Sequence, residues 1–520
     1  MDIFRTTLTG ALAILMSLSL SAQTYDSLTT NQINAGVHAS GDLFWDLEGA
    51  PHFEVPQGQD KHAVFAAHLW LGAIDEAGGL HVTAQTYRQE TDDFMPGPLA
   101  DDYTGNFPTT YDRLWKVSQA EIDAHIAQWA DPLYTAPSGI ADWPGNGDFA
   151  NGEAPYLAPF EDLNANNLYE PMLGEYPVIR GDACVFFIFN GERVGPKGQL
   201  AGEDLPVEVH GMLYGYDTPN DPIINETVFL HYRIINRRPL NLSEMYLGSW
   251  TDFDLGFFRD DAVGTDTMRN SIYAYNFDSL DVGFGGYGAM PPAMGVRMLN
   301  VPMTNSMNYL NDFSVTGNPE QTSHYYGYLM SQWKDGTPLT FGGDGYGGFV
   351  PMDHIFPGDP VTFNGWIQNV IGDQTGLMSS GPYDVPSGSD LCFDLAYVFA
   401  RDSTNFASIN LLRERLDAVQ DFYDDQTFAC RSINTGLHPN FDVNVNLYPN
   451  PVRDQLLVQW EVFRPKRMEL INLQGQILQV EKLPEGMNEI RLDTHDLPAG
   501  MYMLRLADES QQVLRQFVKL

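Results

Sequence analysis

The sequence predicts a mainly β protein: a body of β-sandwich-like modules with two short helices, and a small immunoglobulin-like β-sandwich at the C-terminus. Three observations carry this. Short runs alternate apolar and polar residues with the period of two that half-buried strands require. Clusters of Gly, Pro, Asn and Asp break these runs at short intervals, as turns do. At 43% apolar and 12% aromatic residues, the 520-residue chain has enough to bury large cores, and its length implies more than one domain.

Charge divides the chain. It carries 68 acidic against 28 basic residues, a formal net of −40. Residues 447–520 hold nine Lys/Arg and ten Asp/Glu, and residues 1–22 one of each, so 23–446 carry −39. Such a body repels phosphate backbones, which argues against nucleic-acid partners, and anionic membranes repel it in turn. It suits a salty or calcium-containing exterior, and equally a solvated acidic surface that keeps a secreted protein soluble. Three cysteines (Cys184, Cys392 and Cys430) allow at most one internal bridge.

Met1–Ala22 reads as a cleaved export signal: Arg5, an apolar run Leu8–Leu20, then Ser21-Ala22. That run is short for a bilayer, and no later one approaches the length required, so the chain is not expected to span a membrane.

The body is expected to hold an N-terminal β-rich module (23–200) and a second sandwich-like module (201–424), with a linker at 425–446. Ala63–Ile74 is a continuous apolar run ended by Glu76-Ala77-Gly78-Gly79, and Leu80–Tyr87 alternates as a returning strand. Residues 91–111 read as a long loop. Ser118-Gln119-Ala120-Glu121 is a capping-box pattern ahead of Ile122, Ile126 and Trp129, predicting a helix over about 118–130. Cys184–Phe189, Pro206–Tyr216 and Thr227–Asn236 read as strands, with Val228, Leu230, Tyr232 and Ile234 sharing one face. Residues 283–360 are rich in Gly, Tyr, Pro and Asn. Two readings fit their aromatics: an adaptable recognition face, or tight turns with the rings in a core. Asp390–Ala400 gives another core strand, and Leu411, Leu412, Leu416, Val419 and Phe422 predict an amphipathic helix over about 405–422.

Two acidic stretches have cation-binding character. In the first, Asp162, Asn164 and Asn166 place side-chain oxygens at positions 1, 3 and 5, and the Leu168 carbonyl sits at position 7, the spacing of EF-hand-type calcium loops. Asn167 replaces the usual glycine at position 6 as the next most tolerant of positive φ. Position 12 is Leu173, so Glu170 or Glu175 must supply the closing carboxylate. The alternative is an Asx-turn loop holding no metal. In the second stretch, Asp252, Asp254, Asp260, Asp261 and Asp266 fall within 15 residues. Such carboxylates repel one another unless a cation or hydrogen-bond donors intervene. A second calcium site, a glycosidase acid/base pair and a solvated loop all fit.

Short catalytic signatures are missing. The sequence has no His-Glu-x-x-His, no Gly-x-Ser-x-Gly and no Gly-Lys-Ser/Thr after its glycine runs, and its 12 histidines are scattered. None of this excludes a glycosidase or a β-sandwich lyase, which lack such signatures.

The C-terminal stretch is the most legible. It opens on Leu447-Tyr448-Pro449-Asn450-Pro451, runs through Gly500-Met501-Tyr502-Met503-Leu504 and ends in Phe517-Val518-Lys519-Leu520. Leu456, Val458, Trp460 and Val462 alternate with Gln455, Gln459 and Glu461. This resembles the C-terminal sorting domain of the type IX secretion system, with Pro449, Asn450, Pro451, Gly500, Tyr502 and Lys519 as its signal residues. Asp252–Gly256, Trp333–Pro338 and Ser380–Tyr383 are similar to runs in large surface proteins that carry this domain. The resemblance implies export to the outer surface of a Gram-negative bacterium, recognition by the secretion machinery, removal of the domain there, and attachment of the body to lipopolysaccharide. It brings no activity for the body. The expectation is an exported surface or extracellular protein, calcium-stabilised, with a structural, adhesive or ligand-binding body rather than an enzyme. The alternative is a secreted polysaccharide hydrolase.

Overall fold

The long apolar runs become the middle strands of two antiparallel sheets. Ala66–Asp75, Leu242–Phe253 and Gln374–Val385 lie side by side in a five-stranded sheet edged by Leu80–Ala84 and Asn305–Tyr309. A nine-stranded sheet centres on Asp390–Ala400 and Thr227–Ile235. Ala293–Met298, Ser271–Asn276 and Asp261–Asp266 extend it on one side, and Glu208–Gly215 and Ala183–Asn190 on the other. In this computed structural model, residues 24–87, 93–192, 204–426 and 445–519 are described, the last with breaks at 461–464, 473–476, 485–486, 496, 499 and 508–511. The expected export signal, Cys430, Val462 and most of the linker (427–444) lie outside the described residues.

The two sheets share one buried core. Val228, Leu230, Tyr232 and Ile234, the face expected from their alternation, meet Leu69, Leu71, Leu247 and Met378 from the smaller sheet. Strands from both sides of residue 200 enter both sheets: Ala183–Asn190 pairs with Glu208–Gly215, and Ala66–Asp75 with Leu242–Phe253. The segments 23–200 and 201–424 are thus interleaved in one pair of sheets, and no seam between sheets falls at residue 200. Local alternation cannot reveal this, because pairing partners separated by over 150 residues leave no trace in either run.

Each sheet is covered on its outer face as well. Over the nine-stranded sheet lies the helix Asn405–Asp424, capped by Thr404 and burying Ile409, Leu412, Leu416 and Val419. The helix Gln119–Gln128 adds to that layer, and the capping box between Ser118 and Glu121 is formed. Over the five-stranded sheet lies the helix Thr322–Leu329, which the sequence did not announce. Its Tyr325, Tyr326, Tyr328 and Leu329 are buried against Trp70, Trp250 and Tyr309, and with only eight residues, Gly327 among them, its helical period does not stand out from the surrounding tyrosines and glycines. With Trp333 and Trp366 also buried and Tyr346 at 40% exposure, most of the aromatics of 325–366 are core, not a recognition face. The short helix Phe107–Tyr111 likewise interrupts the stretch expected as a loop.

Residues 445–519 form a small β domain of two sheets, three- and four-stranded, around their own core. Leu456, Val458 and Trp460 point inward and Gln455 and Gln459 outward, as the alternation requires. Cys184 is a free buried thiol, its pKa pushed up by burial, and Cys392 is disulfide-bonded.

Candidate cation sites and sorting domain

The loop at 162–175 is built by its own polar side chains. Asp162 accepts the N–H groups of Asn166 (3.3 Å) and Asn167 (2.7 Å), Asn164 Oδ1 accepts Asn166 N–H (3.0 Å), and Asn166 Oδ1 accepts Leu168 N–H (2.8 Å). These nested Asx turns bend the chain through positive φ at Ala165 (57°) and Asn167 (65°), the latter where the spacing called for glycine. Each accepting oxygen keeps a second lone pair. Glu170 is occupied: its Oε2 accepts the amides of Asn164 (3.0 Å) and Asn166 (2.6 Å).

Glu175 differs from every other acid of the loop. Its side chain is fully buried, with 0% exposure. Oε2 accepts the N–H of Glu170 (2.7 Å), but Oε1 is buried and completes no hydrogen bond of ordinary geometry, although the Leu163 N–H is close enough to the carboxylate to favour it. Burial pushes its pKa up, the charges of Asp162 and Glu170 push the same way, and the N–H groups of Glu170 and Leu163 oppose them. A buried carboxylate oxygen facing two other carboxylates is costly without a cation or a proton.

Of the five aspartates in the second stretch, the structure brings two together and adds a third from far away. Asp252, Asp254 and Asp373 each place an oxygen within 4.8 Å of the others. Strand pairing does this. Asp252 stands opposite Thr375 and Phe253 opposite Gln374, and continuing that register sets Asp254 opposite Asp373. Phe253 fills the core between the sheets, so the aspartates on either side of it point to the outer face. Ligands about 2.4 Å from one calcium ion lie at most about 4.8 Å apart, so the three oxygens fit one ion. Burial, and then the charge of Asp373, push the Asp254 carboxyl up to about 7. Asn311 Nδ2 donates to Asp373 (2.8 Å) and to Tyr87 Oη (3.3 Å), tying the group to a cluster of Tyr87, Phe65 and Trp250 rings. Sequence reasoning missed Asp373 because only cross-strand register places it there.

Asp260, Asp261 and Asp266 place no oxygen in this group, although the charge of Asp254 is felt at Asp261. Asp266 forms an ion pair with Arg269 (2.8 Å). Asp261 is fully buried; its Oδ2 accepts Leu255 N–H (3.0 Å), and burial holds its pKa well above the carboxylate range. Asp260 is also raised, by burial first and then by the charges of Asp281 and Asp278.

In the C-terminal domain the expected signal residues gather toward one end. Gly500 pairs with Lys519, Val452 bridges to Lys519, and Asn450 Oδ1 accepts Val518 N–H (2.9 Å). Tyr502 stacks on Phe517 and donates to the Pro498 carbonyl (2.8 Å).

Comparison with known proteins bears on this last domain. Residues 446–520 match the family described as the secretion system C-terminal sorting domain, the type IX sorting domain that the sequence resembles. A chain carrying it is secreted, delivered to the cell surface, and engaged by the type IX machinery. Among the described residues no helix is long and apolar enough to cross a membrane. No curated protein matches the sequence. Among solved structures, a polysaccharide lyase aligns over 64% of this chain and 39% of its own length, at 7% identity and a TM-score of 0.20. Agreement that low carries no inference about fold or chemistry.

Proposed function

We propose that the body upstream of the sorting domain is a calcium-stabilised surface module with a structural, adhesive or ligand-binding role. Glu175 carries the reading: a fully buried carboxylate with an oxygen that completes no hydrogen bond of ordinary geometry, at the closing position of a loop whose first, third and fifth residues offer oxygens. A calcium ion there would be held by Asp162, Asn164, Asn166, the Leu168 carbonyl and Glu175, with Glu170 bracing the two asparagines. Asp252, Asp254 and Asp373 form a second candidate calcium position. Outside the cell, where calcium is abundant, both would be filled. After removal of the sorting domain the body would stay at the surface, attached to lipopolysaccharide. Thermal melting of the purified chain in calcium and in EGTA tests the reading, and identical midpoints would overturn it.

One observation favours the alternative of a polysaccharide hydrolase. Asp254, its carboxyl raised toward neutrality beside Asp373, has the character of a general acid next to a second carboxylate. Hydrolysis of any neutral polysaccharide by the chain, abolished in Asp254→Asn, would establish that reading.

A further inference from the structure

A pocket with a cavity volume of about 90 Å³ lies beside the glycine-rich loop over the five-stranded sheet. Trp333 and Phe356 give it an aromatic wall, and Asn308, Gln368, Asn369 and Asp344 line it with amide and carboxylate groups. The wall is rigid. Trp333 Nε1 donates to the Gly345 carbonyl (2.9 Å), and Trp366 Nε1 donates to that of Gly343 (3.1 Å), so two indole edges hold the loop in place. Gly345 needs its φ of 89° and its lack of a side chain, since a Cβ there would stand 2.5 Å from Leu339.

The inner amides are fixed by one another. Gln368 Nε2 donates to Gln374 Oε1 (2.8 Å) and Asn308 Oδ1 (3.3 Å), Val263 N–H donates to Gln368 Oε1 (2.5 Å), and Asn308 Nδ2 donates to the Thr375 carbonyl (2.8 Å). At the mouth the polar groups are open instead. Asn369 is exposed, and no hydrogen bond to another described residue occupies its amide. Asp344 has one oxygen against Tyr346 N–H (3.3 Å) and the other free for a ligand. The exposed rings of Phe341, Tyr346 and Phe349 stand on the same loop.

We propose that this pocket binds the terminal residue of a neutral glycan. A sugar ring has apolar C–H edges that can touch the small exposed part of the Trp333 and Phe356 wall, and vicinal hydroxyls that donate to a carboxylate and accept from an amide, as Asp344 and Asn369 offer. About 90 Å³ corresponds to roughly three water molecules, so the pocket takes the edge or a substituent of one sugar ring and leaves the rest of the glycan at the rim. A chain of net charge −40 with Asp344 at the mouth disfavours acidic sugars. This deepens the ligand-binding reading of the body and rests on it, but it does not depend on calcium.

Binding of the full chain to immobilised oligosaccharides ending in a neutral hexose or N-acetylhexosamine, beside a matched set ending in a uronic acid, tests it. At least one neutral end group should be bound, and EGTA should not abolish the binding. Asn369→Ala and Asp344→Asn, both at exposed positions, should each weaken it about tenfold or more while leaving the melting temperature unchanged. Phe149→Ala, on the surface of another segment, should leave binding intact. No binding of any neutral end group, binding insensitive to both mouth variants, or preference for the acidic set would each overturn the proposal. A calcium-dependent melting shift without glycan binding would leave the calcium reading standing and remove only this one.

Discussion

Replacing Glu175 with Gln isolates the calcium reading. The side chain is 0% exposed, and one of its oxygens completes no hydrogen bond of ordinary geometry while the charges of Asp162 and Glu170 act on it. With one site filled at a free calcium of 100 Kd, the folded state gains about 2.7 kcal/mol. Unfolding entropy of about 2.1 cal/mol/K per residue gives roughly 0.8 kcal/mol/K for a body of about 400 residues, so that gain raises Tm by about 3 °C. Differential scanning calorimetry in calcium and in EGTA resolves such a shift. Glu175→Gln should lose the part of the shift that this loop contributes, because an amide oxygen binds calcium far more weakly than a carboxylate. In EGTA the variant should be at least as stable as the parent, since the buried anion is gone. A variant that keeps the whole shift would refute the assignment to this loop. If Asp373→Asn then removed the shift, the calcium would belong to the trio of aspartates.

Other consequences are also measurable. Asp394 is buried in the nine-stranded sheet, where it accepts from Arg180 (3.1 Å), His231 (2.5 Å) and Tyr423 of the closing helix. Burial alone would raise its pKa, but His231 and Arg180 outweigh it and hold the carboxyl at about 2. Its stabilisation is therefore complete above the unfolded value near 4 and lost as pH falls through about 2, so acid unfolding of Asp394→Asn should be flatter over that window. At neutral pH the same variant should cost about 3–5 kcal/mol, because it leaves the buried Arg180 guanidinium without its carboxylate, and chemical denaturation reads that loss. Ser118→Ala, which removes the N-cap of Gln119–Gln128, should destabilise by about 1 kcal/mol with no change in calcium response. A reporter fused to residues 440–520 should reach the surface of a host with a working type IX system, and retention in the periplasm would contradict the assignment of that domain.

Much of the fold could be read locally. Val228, Leu230, Tyr232 and Ile234 alternate because one face of their strand is buried, and that face fills the core. The capping box at Ser118 and the apolar stripe from Ile409 to Val419 are short-range signals, and both helices form where they lie. Thr322–Leu329 went unread because it is only eight residues long and carries Gly327, too short a run for a helical period to stand out among neighbouring tyrosines and glycines. The cation sites divide in the same way. The 162–175 loop would draw its ligands from residues close in the chain, so spacing alone proposed it as a candidate.

Asp373 is a different case, since it reaches Asp252 and Asp254 across a strand pair whose members lie about 120 residues apart in the chain. By itself the sequence determined the β class, the sorting domain at the C-terminus, the acidic character of the body and the oxygen spacing of one loop, because each depends on neighbours within a few residues. Only the tertiary structure decided that 23–200 and 201–424 interleave in shared sheets, that Glu175 is buried, and that Asp252 and Asp254 gather with Asp373 rather than with Asp260, Asp261 or Asp266. Those outcomes depend on strand register and burial, which arise from contacts between distant segments.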